Sequence, residues 1–284
     1  MGTHLGVFEK NRASVESERA YIQSHRARDE FWYAAHFGQP WPRLQPAART
    51  TVAEEILAAD AGTQPSPSPC PHSDDYGHAF GGGAVLNPVA VAAMLTTRDV
   101  ELQCEPFAVF LAHSGANLSV LYDSADVAWV QTGYVRDRKD GTTEITWAVY
   151  LEVFAAGVRY VSWTAYPPGD GTHQYEAGFN PRTGDCYAWY DSLPAGHFNV
   201  PFWAENIANA IEFQGEVYQT ESRMPGTAGN RCVFSACSYR PHGGGGTHWV
   251  DAGIGTVHST DVAKFGVNLV SGTSIEVWDK RPPL

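Results

Sequence analysis

From about residue 105 to the C-terminus, apolar side chains recur at every second position in short runs broken by glycine and proline. A period of two is that of a strand with one face buried, whereas a helix would repeat near 3.6. Within 127–135, Val127, Trp129, Gln131, Gly133 and Val135 share one face, and Ile145, Trp147, Val149, Leu151 and Val153 line a second strand. Segments 158–166 and 186–190 read as two more, separated by turns at PPGDG (167–171) and NPRTGD (180–185). The nine Trp, 13 Tyr and 13 Phe, set among 28 Gly and 18 Pro, suit strands joined by tight turns. No repeat and no βαβ alternation interrupts the pattern. The expectation is an all-β main domain, an antiparallel β-sandwich or jelly roll.

The first quarter of the chain reads differently. Residues 14–37 carry Val15, Tyr21, Ile22, Phe31 and Trp32 among charged side chains, with no Gly or Pro before Gly38, which predicts a helix. A second short helix is expected over 51–59. Residues 64–71 read QPSPSPCP, and proline at alternate positions, with φ fixed and no amide hydrogen, makes an extended linker. The expected organisation is an N-terminal helical arm or propeptide-like segment (1–63), a Pro-rich linker (64–72) and a sandwich domain (73–284).

Composition narrows the partners. Hydrophobic residues make up 43% and charged residues 18%, enough apolar material for a core rather than a disordered chain. No apolar run reaches the ~18 residues of a membrane-spanning helix, so no membrane partner is expected. With 31 acidic against 19 basic side chains the formal charge is −12, and lysine occurs only at Lys10, Lys139, Lys264 and Lys280. Such an excess repels a phosphate backbone and argues against nucleic acid. Met1 to Asn11 shows no basic stretch followed by an apolar run, so no signal peptide is visible. Of the five cysteines (70, 104, 186, 232 and 237), Cys232 and Cys237 are close enough in sequence to bridge in an oxidising compartment; buried unreactive thiols are the other reading.

Two strands carry candidate chemistry. In Trp129-Val130-Gln131-Thr132-Gly133-Tyr134, alternation puts Gln131 on the face of Trp129 and Gly133. An amide there needs hydrogen-bond partners if buried, and the glycine leaves space beside it, as in the wall of a cleft; a solvent-facing Gln is the plainer alternative. In Ala210 to Tyr218, Ile211, Phe213 and Val217 take one face and Glu212, Gln214 and Glu216 the other. Carboxylates at i and i+4 on a strand lie roughly 13 Å apart, so Glu212 and Glu216 are not a touching acid pair. Each can act with a partner from a neighbouring strand.

Together the two strands resemble the glutamic peptidases (eqolisins), across about residues 105–284. In that family a Gln from a Leu-Gln-Thr-Gly strand and a Glu from an Ala-Glu-Trp-Ile-Val-Glu-Asp-Phe strand form the catalytic dyad. Val130-Gln131-Thr132-Gly133 is similar to the first, and Ile211-Glu212-Phe213-Gln214-Gly215-Glu216-Val217-Tyr218 is similar to the second in its Glu spacing and aromatic positions. The resemblance implies Gln131 and Glu212 as the dyad, Glu216 as the second acidic position, and Trp129, Gln214 and Trp189 as substrate-binding residues. Trp189 enters through Cys186-Tyr187-Ala188-Trp189-Tyr190, which is loosely similar to the family's aromatic strands. It also implies a concanavalin-like sandwich with the dyad on its concave face, an extracellular location and no cofactor. In place of the family's Ala-Trp-x-Gly-Ile-Asp-Gly segment, residues 113–128 read HSGANLSVLYDSADVA, with Tyr122, Asp123 and Asp126 as substitutes. The neprosin-type glutamic peptidases are also similar, through Gly215-Glu216-Val217 and Met224-Pro225-Gly226; that likeness would make Glu216 the acid but leaves Gln131 without a role.

The chemistry implied is peptide hydrolysis in acid. A carboxylate takes a proton from water and returns it to the leaving amine, while a neutral amide orients the water and donates to the oxyanion. A carboxyl base with a reference pKa of about 4.3 suits acid operation. Histidines 72, 78, 242 and 248 show no metal-ligand spacing, and no metal is expected. Gly81 to Gly83 and Gly243 to Gly246 read as flexible turns, not phosphate loops. Asn117-Leu118-Ser119 is a glycosylation sequon, relevant only on a secretory route. The competing reading is a non-catalytic, lectin-like sandwich binding carbohydrate or a protein partner, with Trp129, Trp147, Trp163, Trp189 and Trp203 as exposed stacking surfaces.

Overall fold

Alternation of apolar and polar side chains carries directly into strands. The computed structural model describes residues 77–98, 112–122, 128–138, 145–156, 158–164, 167–217, 222–242 and 248–282. The helices expected over 14–37 and 51–59 and the Pro-rich linker lie outside these residues. Within them the chain forms β1 (Gly77–Ala84), β2 (Pro88–Thr96), β3 (Ala112–Tyr122), β4 (Ala128–Arg138), β5 (Ile145–Ala155), β6 (Val158–Trp163), β7 (Thr172–Phe179), β8 (Asp185–Tyr190) and β9 (Leu193–Asn199). After one helical turn, α1 (Phe202–Glu205), come β10 (Ala210–Val217), β11 (Gly226–Thr227), β12 (Asn230–Pro241), β13 (Val250–Asp251), β14 (Thr256–Ser259), β15 (Phe265–Ser271) and β16 (Ser274–Asp279).

These strands build two sheets, antiparallel throughout except where β11 meets β16. One has seven strands in the order β14-β1-β10-β3-β4-β5-β6; the other has nine, ordered β15-β16-β11-β12-β2-β7-β8-β9, with β13 beside β12. Odd residues of β10 and even residues of β3 and β4 face the second sheet, so Ile211, Phe213, Leu118, Val120, Val130 and Tyr134 share one core with Val91, Leu95, Ala177, Phe234 and Ile275. Phe213 of β10 meets Phe234 of β12 edge-on across the gap, with ring centroids 6.2 Å apart. The Tyr134 hydroxyl reaches across as well: it accepts from the Arg98 amide at 3.0 Å and lies 3.3 Å from Cys232 Sγ. Burial pushes its pKa well above the usual tyrosine value, so it stays protonated. The architecture is the expected antiparallel β-sandwich.

Several expectations are corrected. The strands begin well before residue 105, at Gly77, and Gly81 to Gly83 lie inside β1 rather than in a turn. Gly82 needs to be glycine, because a Cβ there would lie 2.3 Å from the Ile211 carbonyl oxygen of β10. Cys232 and Cys237 do not bridge; both are free and buried, as is Cys186. Burial pushes the Cys232 thiol up to about 12 and the other two higher still. Trp129 and Trp203 are buried in full and offer no stacking surface.

Candidate active site

The other face of the seven-stranded sheet is where the polar residues converge. An antiparallel sheet with one buried face usually gives its second face to water. Here every residue of β10 is buried, on both faces, and the second face is polar. Strand register puts its side chains in rows that cross the sheet. In the first row, Gly82 of β1, Glu212 of β10, Ser119 of β3, Gln131 of β4 and Glu152 of β5 stand side by side. In the second, the corresponding residues are Phe80, Gln214, Asn117, Gly133 and Tyr150. The third begins with His78 opposite Glu216.

Gln131 and Glu212 therefore point from the same face, in register, with only β3 between them. At ~4.8 Å per strand their backbones are about 10 Å apart, and the residue in the gap is the short Ser119. Glu212 and Ser119 are 0% exposed and Gln131 is 1% exposed. The Ser119 hydroxyl finds no hydrogen-bond partner among the described residues. The row thus brings a carboxylate, a hydroxyl and a neutral amide together in a setting shielded from bulk water, where electrostatic interactions are strong.

Glu216 is held differently. Its Oε2 accepts from Asn117 Nδ2 at 3.1 Å and from Gln214 Nε2 at 3.4 Å, and its Oε1 lies 3.9 Å from His78 Nδ1. Gln214 also donates to Asn117 Oδ1 at 2.8 Å. Gln214, expected to meet substrate, is fully buried and spends its amide on this network. Trp129 lies on the same face, one row from Gln131, and is equally committed: its Nε1 donates to Glu152 Oε1 at 2.9 Å and its ring stacks on Phe154 at 4.4 Å. Trp189 does not join the row. It belongs to β8 of the nine-stranded sheet, paired with Glu176 and Pro194, and is 40% exposed on that sheet's outer face.

The structure adds residues that the sequence reading passed over. Glu152 stands opposite Gln131, 1% exposed, with Arg159 Nη2 donating to its Oε2 at 2.7 Å. Burial pushes the Tyr150 hydroxyl well above the usual tyrosine range; the Glu152 and Glu216 carboxylates push it further, and Arg159 and the Asn117 amide pull back. Asn117 and Ser119 come from the segment HSGANLSVLYDSADVA, where Ala116, Leu118 and Val120 alternate with them and mark a strand with a polar face. That alternation was the available signal. Asn117 is also the acceptor of the sequon, and in the fold its amide is buried and donating to Glu216, so it is no glycosylation site once folded. Tyr122 sits beside Phe202 and Trp203 rather than in these rows; Asp123 and Asp126 lie outside the described residues. Among the described residues no cluster of His, Cys, Asp and Glu is arranged to hold a metal ion. His72 lies outside them.

No protein-family model matches the chain, and no curated protein matches it. Solved structures do. The chain is similar to Scytalido-glutamic peptidase bound to a peptide-based transition-state analogue, at TM-score 0.46 and 14% identity, covering 72% of this chain and 97% of that one. It is similar to SCP-B, a member of the eqolisin family of peptidases in complex with the tripeptide Ala-Ile-His, at TM-score 0.43 and 16% identity, with the same coverage. It is also similar to the carbohydrate-binding module CBM66 from Bacillus subtilis, at TM-score 0.28 and 12% identity, covering 50% of this chain and 75% of that one.

Proposed function

We propose that the chain is an acid-acting endopeptidase in which Gln131 and Glu212 form the catalytic dyad. The observation that supports this most is the register of the first row: two residues 81 positions apart in sequence point from the same face across one intervening strand, whose residue in that row is Ser119. A water held between them meets both requirements of peptide hydrolysis. The Glu212 carboxylate takes one water proton as the oxygen bonds to the peptide carbonyl carbon. The negative charge that develops on the carbonyl oxygen is met by the Gln131 NH₂, which carries no charge at any working pH. Glu212 then passes the proton to the departing nitrogen as the C–N bond breaks. Atoms and charge balance, and no group beyond water is consumed.

Glu216 takes a supporting role in this scheme. Two amides already donate to it, which favours a fixed carboxylate over one that must cycle a proton. The buried state of the row implies that substrate reaches it only after whatever shields it moves. The assay therefore uses both the full chain and a chain starting at Pro71, where the Pro-rich segment ends. Cleavage of a denatured protein is followed from about pH 2 to 7. The proposal expects cleavage that peaks in acid, is lost in Glu212→Gln and survives in part in Glu216→Gln. Cleavage that survives Glu212→Gln and vanishes in Glu216→Gln would move the acid four residues along. No cleavage by either form would favour the binding-module reading.

A further inference from the structure

The outer face of the nine-stranded sheet, on the far side of the sandwich from the Gln131 row, holds a cavity of about 920 Å³. That is within the ~300–1,000 Å³ usual for sites that enclose a small ligand. Its apolar lining includes Val89, Phe179, Pro181 and Pro241, and Ala90 of β2 and Gly178 of β7 lie in register between β12 on one side and β8 on the other. Arg240 rises from β12 opposite Ala90, and Tyr187 and Trp189 rise from β8 opposite Gly178 and Glu176.

The polar groups in the cavity are tied into a directional chain. Arg240 Nη2 donates to the Tyr187 hydroxyl, and that hydroxyl donates to the Glu176 carboxylate. Burial pushes Tyr187 up to about 12, so it remains a hydroxyl and the chain keeps its direction. The Arg240 guanidinium also lies over the Trp249 ring, 5.6 Å from its centroid. A guanidinium and a carboxylate are thus presented at fixed orientation on either side of one phenol. Beside them is the Trp189 indole, an apolar surface that the fold leaves 40% exposed at a bulge in the β8–β9 pairing.

We propose that this cavity is a binding site for a neutral oligosaccharide, with a sugar ring against Trp189 and its hydroxyls shared between Glu176 and Arg240. The apolar face of a pyranose matches an exposed indole, and vicinal hydroxyls both donate to a carboxylate and accept from a guanidinium. The charged residues of the lining balance, Arg182 and Arg240 against Glu176 and Asp185, which favours an uncharged ligand over an anionic or cationic one. The site is independent of the peptidase reading, because no residue of it lies on the seven-stranded sheet.

Affinity electrophoresis of the full chain through gels containing a soluble glucan, mannan or galactan tests the assignment. Retardation by at least one of the three is expected. Calorimetry with the matching oligosaccharide should then show affinity at least tenfold weaker in Trp189→Ala and Glu176→Ala, largely kept in Trp189→Phe, and unchanged in Val262→Ala, an exposed side chain elsewhere. Far-UV circular dichroism establishes that each variant is folded. Retardation by none of the three polysaccharides, or retardation that persists in Trp189→Ala, would overturn the proposal.

Discussion

Replacing Asn117 with alanine should cost the fold about 3–5 kcal/mol without any loss of a large apolar contact. The side chain serves two partners in a region with no exposure: it donates to Glu216 Oε2 at 3.1 Å and accepts from Gln214 Nε2 at 2.8 Å. A hydrogen bond to a charged group contributes about 1.5–3 kcal/mol, and a buried amide left without an acceptor costs about 1–3 kcal/mol. Gln214 keeps its longer contact to Glu216 at 3.4 Å, which limits the second loss. In a domain of this size each kcal/mol moves Tm by roughly 2–4 °C, so the shift should be about 6–20 °C. Urea unfolding near neutral pH should show a lower midpoint with an unchanged m-value. A double-mutant cycle with Glu216→Ala, which removes the acceptor, isolates the pair and should return a coupling of about 1.5–3 kcal/mol. A variant within about 0.5 kcal/mol of the wild type, or a coupling near zero, would refute the claim that Asn117 holds Glu216 in place.

Three further outcomes follow from other parts of the fold. Asp279 is 3% exposed; burial pulls its carboxyl up, but bonds from Arg281, the Met224 amide and the Arg281 amide more than offset that and hold it below the usual aspartate range. A depressed folded pKa stabilises the fold above the unfolded value of about 3.9 and ceases to as pH falls through the folded one, so Asp279→Asn should cost about 3 kcal/mol at neutral pH and progressively less below about pH 4 in urea titrations. Gly133→Ala places a Cβ 2.0 Å from the Ala116 carbonyl oxygen and 2.6 Å from Asn117 Cα, forcing β3 and β4 apart beside the candidate dyad; thermal melts should show a loss of more than about 3 kcal/mol, and a near-neutral result would mean the strands are not so closely paired. Alkylation of the native chain, mapped by mass spectrometry, should leave Cys186, Cys232 and Cys237 unlabelled until denaturant is added, since burial both hides the thiols and keeps them protonated.

How far the molecule could be read from its residues depends on which periodicity each strand shows. In β10 one face is apolar and the other polar, and alternation puts Glu212, Gln214 and Glu216 opposite Ile211 and Phe213; in β4 it puts Gln131 on the face of Trp129 and Gly133, as the register has them. In β1 and β2 the signal fails for a physical reason: Gly77 to Ala84 is half glycine and Pro88 to Leu95 is apolar on both parities, because both faces of these strands are covered. Register is the other missing quantity. Nothing local in sequence states that Ser119 lies between Gln131 and Glu212, or that Glu152 stands opposite Gln131, since those neighbours are set by how strands pair. The same gap applies to Trp189: an aromatic strand is apparent from its residues, but which of two sheets it joins is decided by its pairing with β7 and β9.

The most direct test of the dyad is whether Gln131 and Glu212 act as a unit. Hydrolysis of an internally quenched peptide in acid is measured for Gln131→Ala, Glu212→Gln and the double variant. Groups that act on one water are non-additive, so the double variant should be no slower than the slower single one, each at least ~100-fold below the wild type. Losses that multiply in the double variant, or a Glu212→Gln protein that still cleaves at the wild-type rate, would contradict the account.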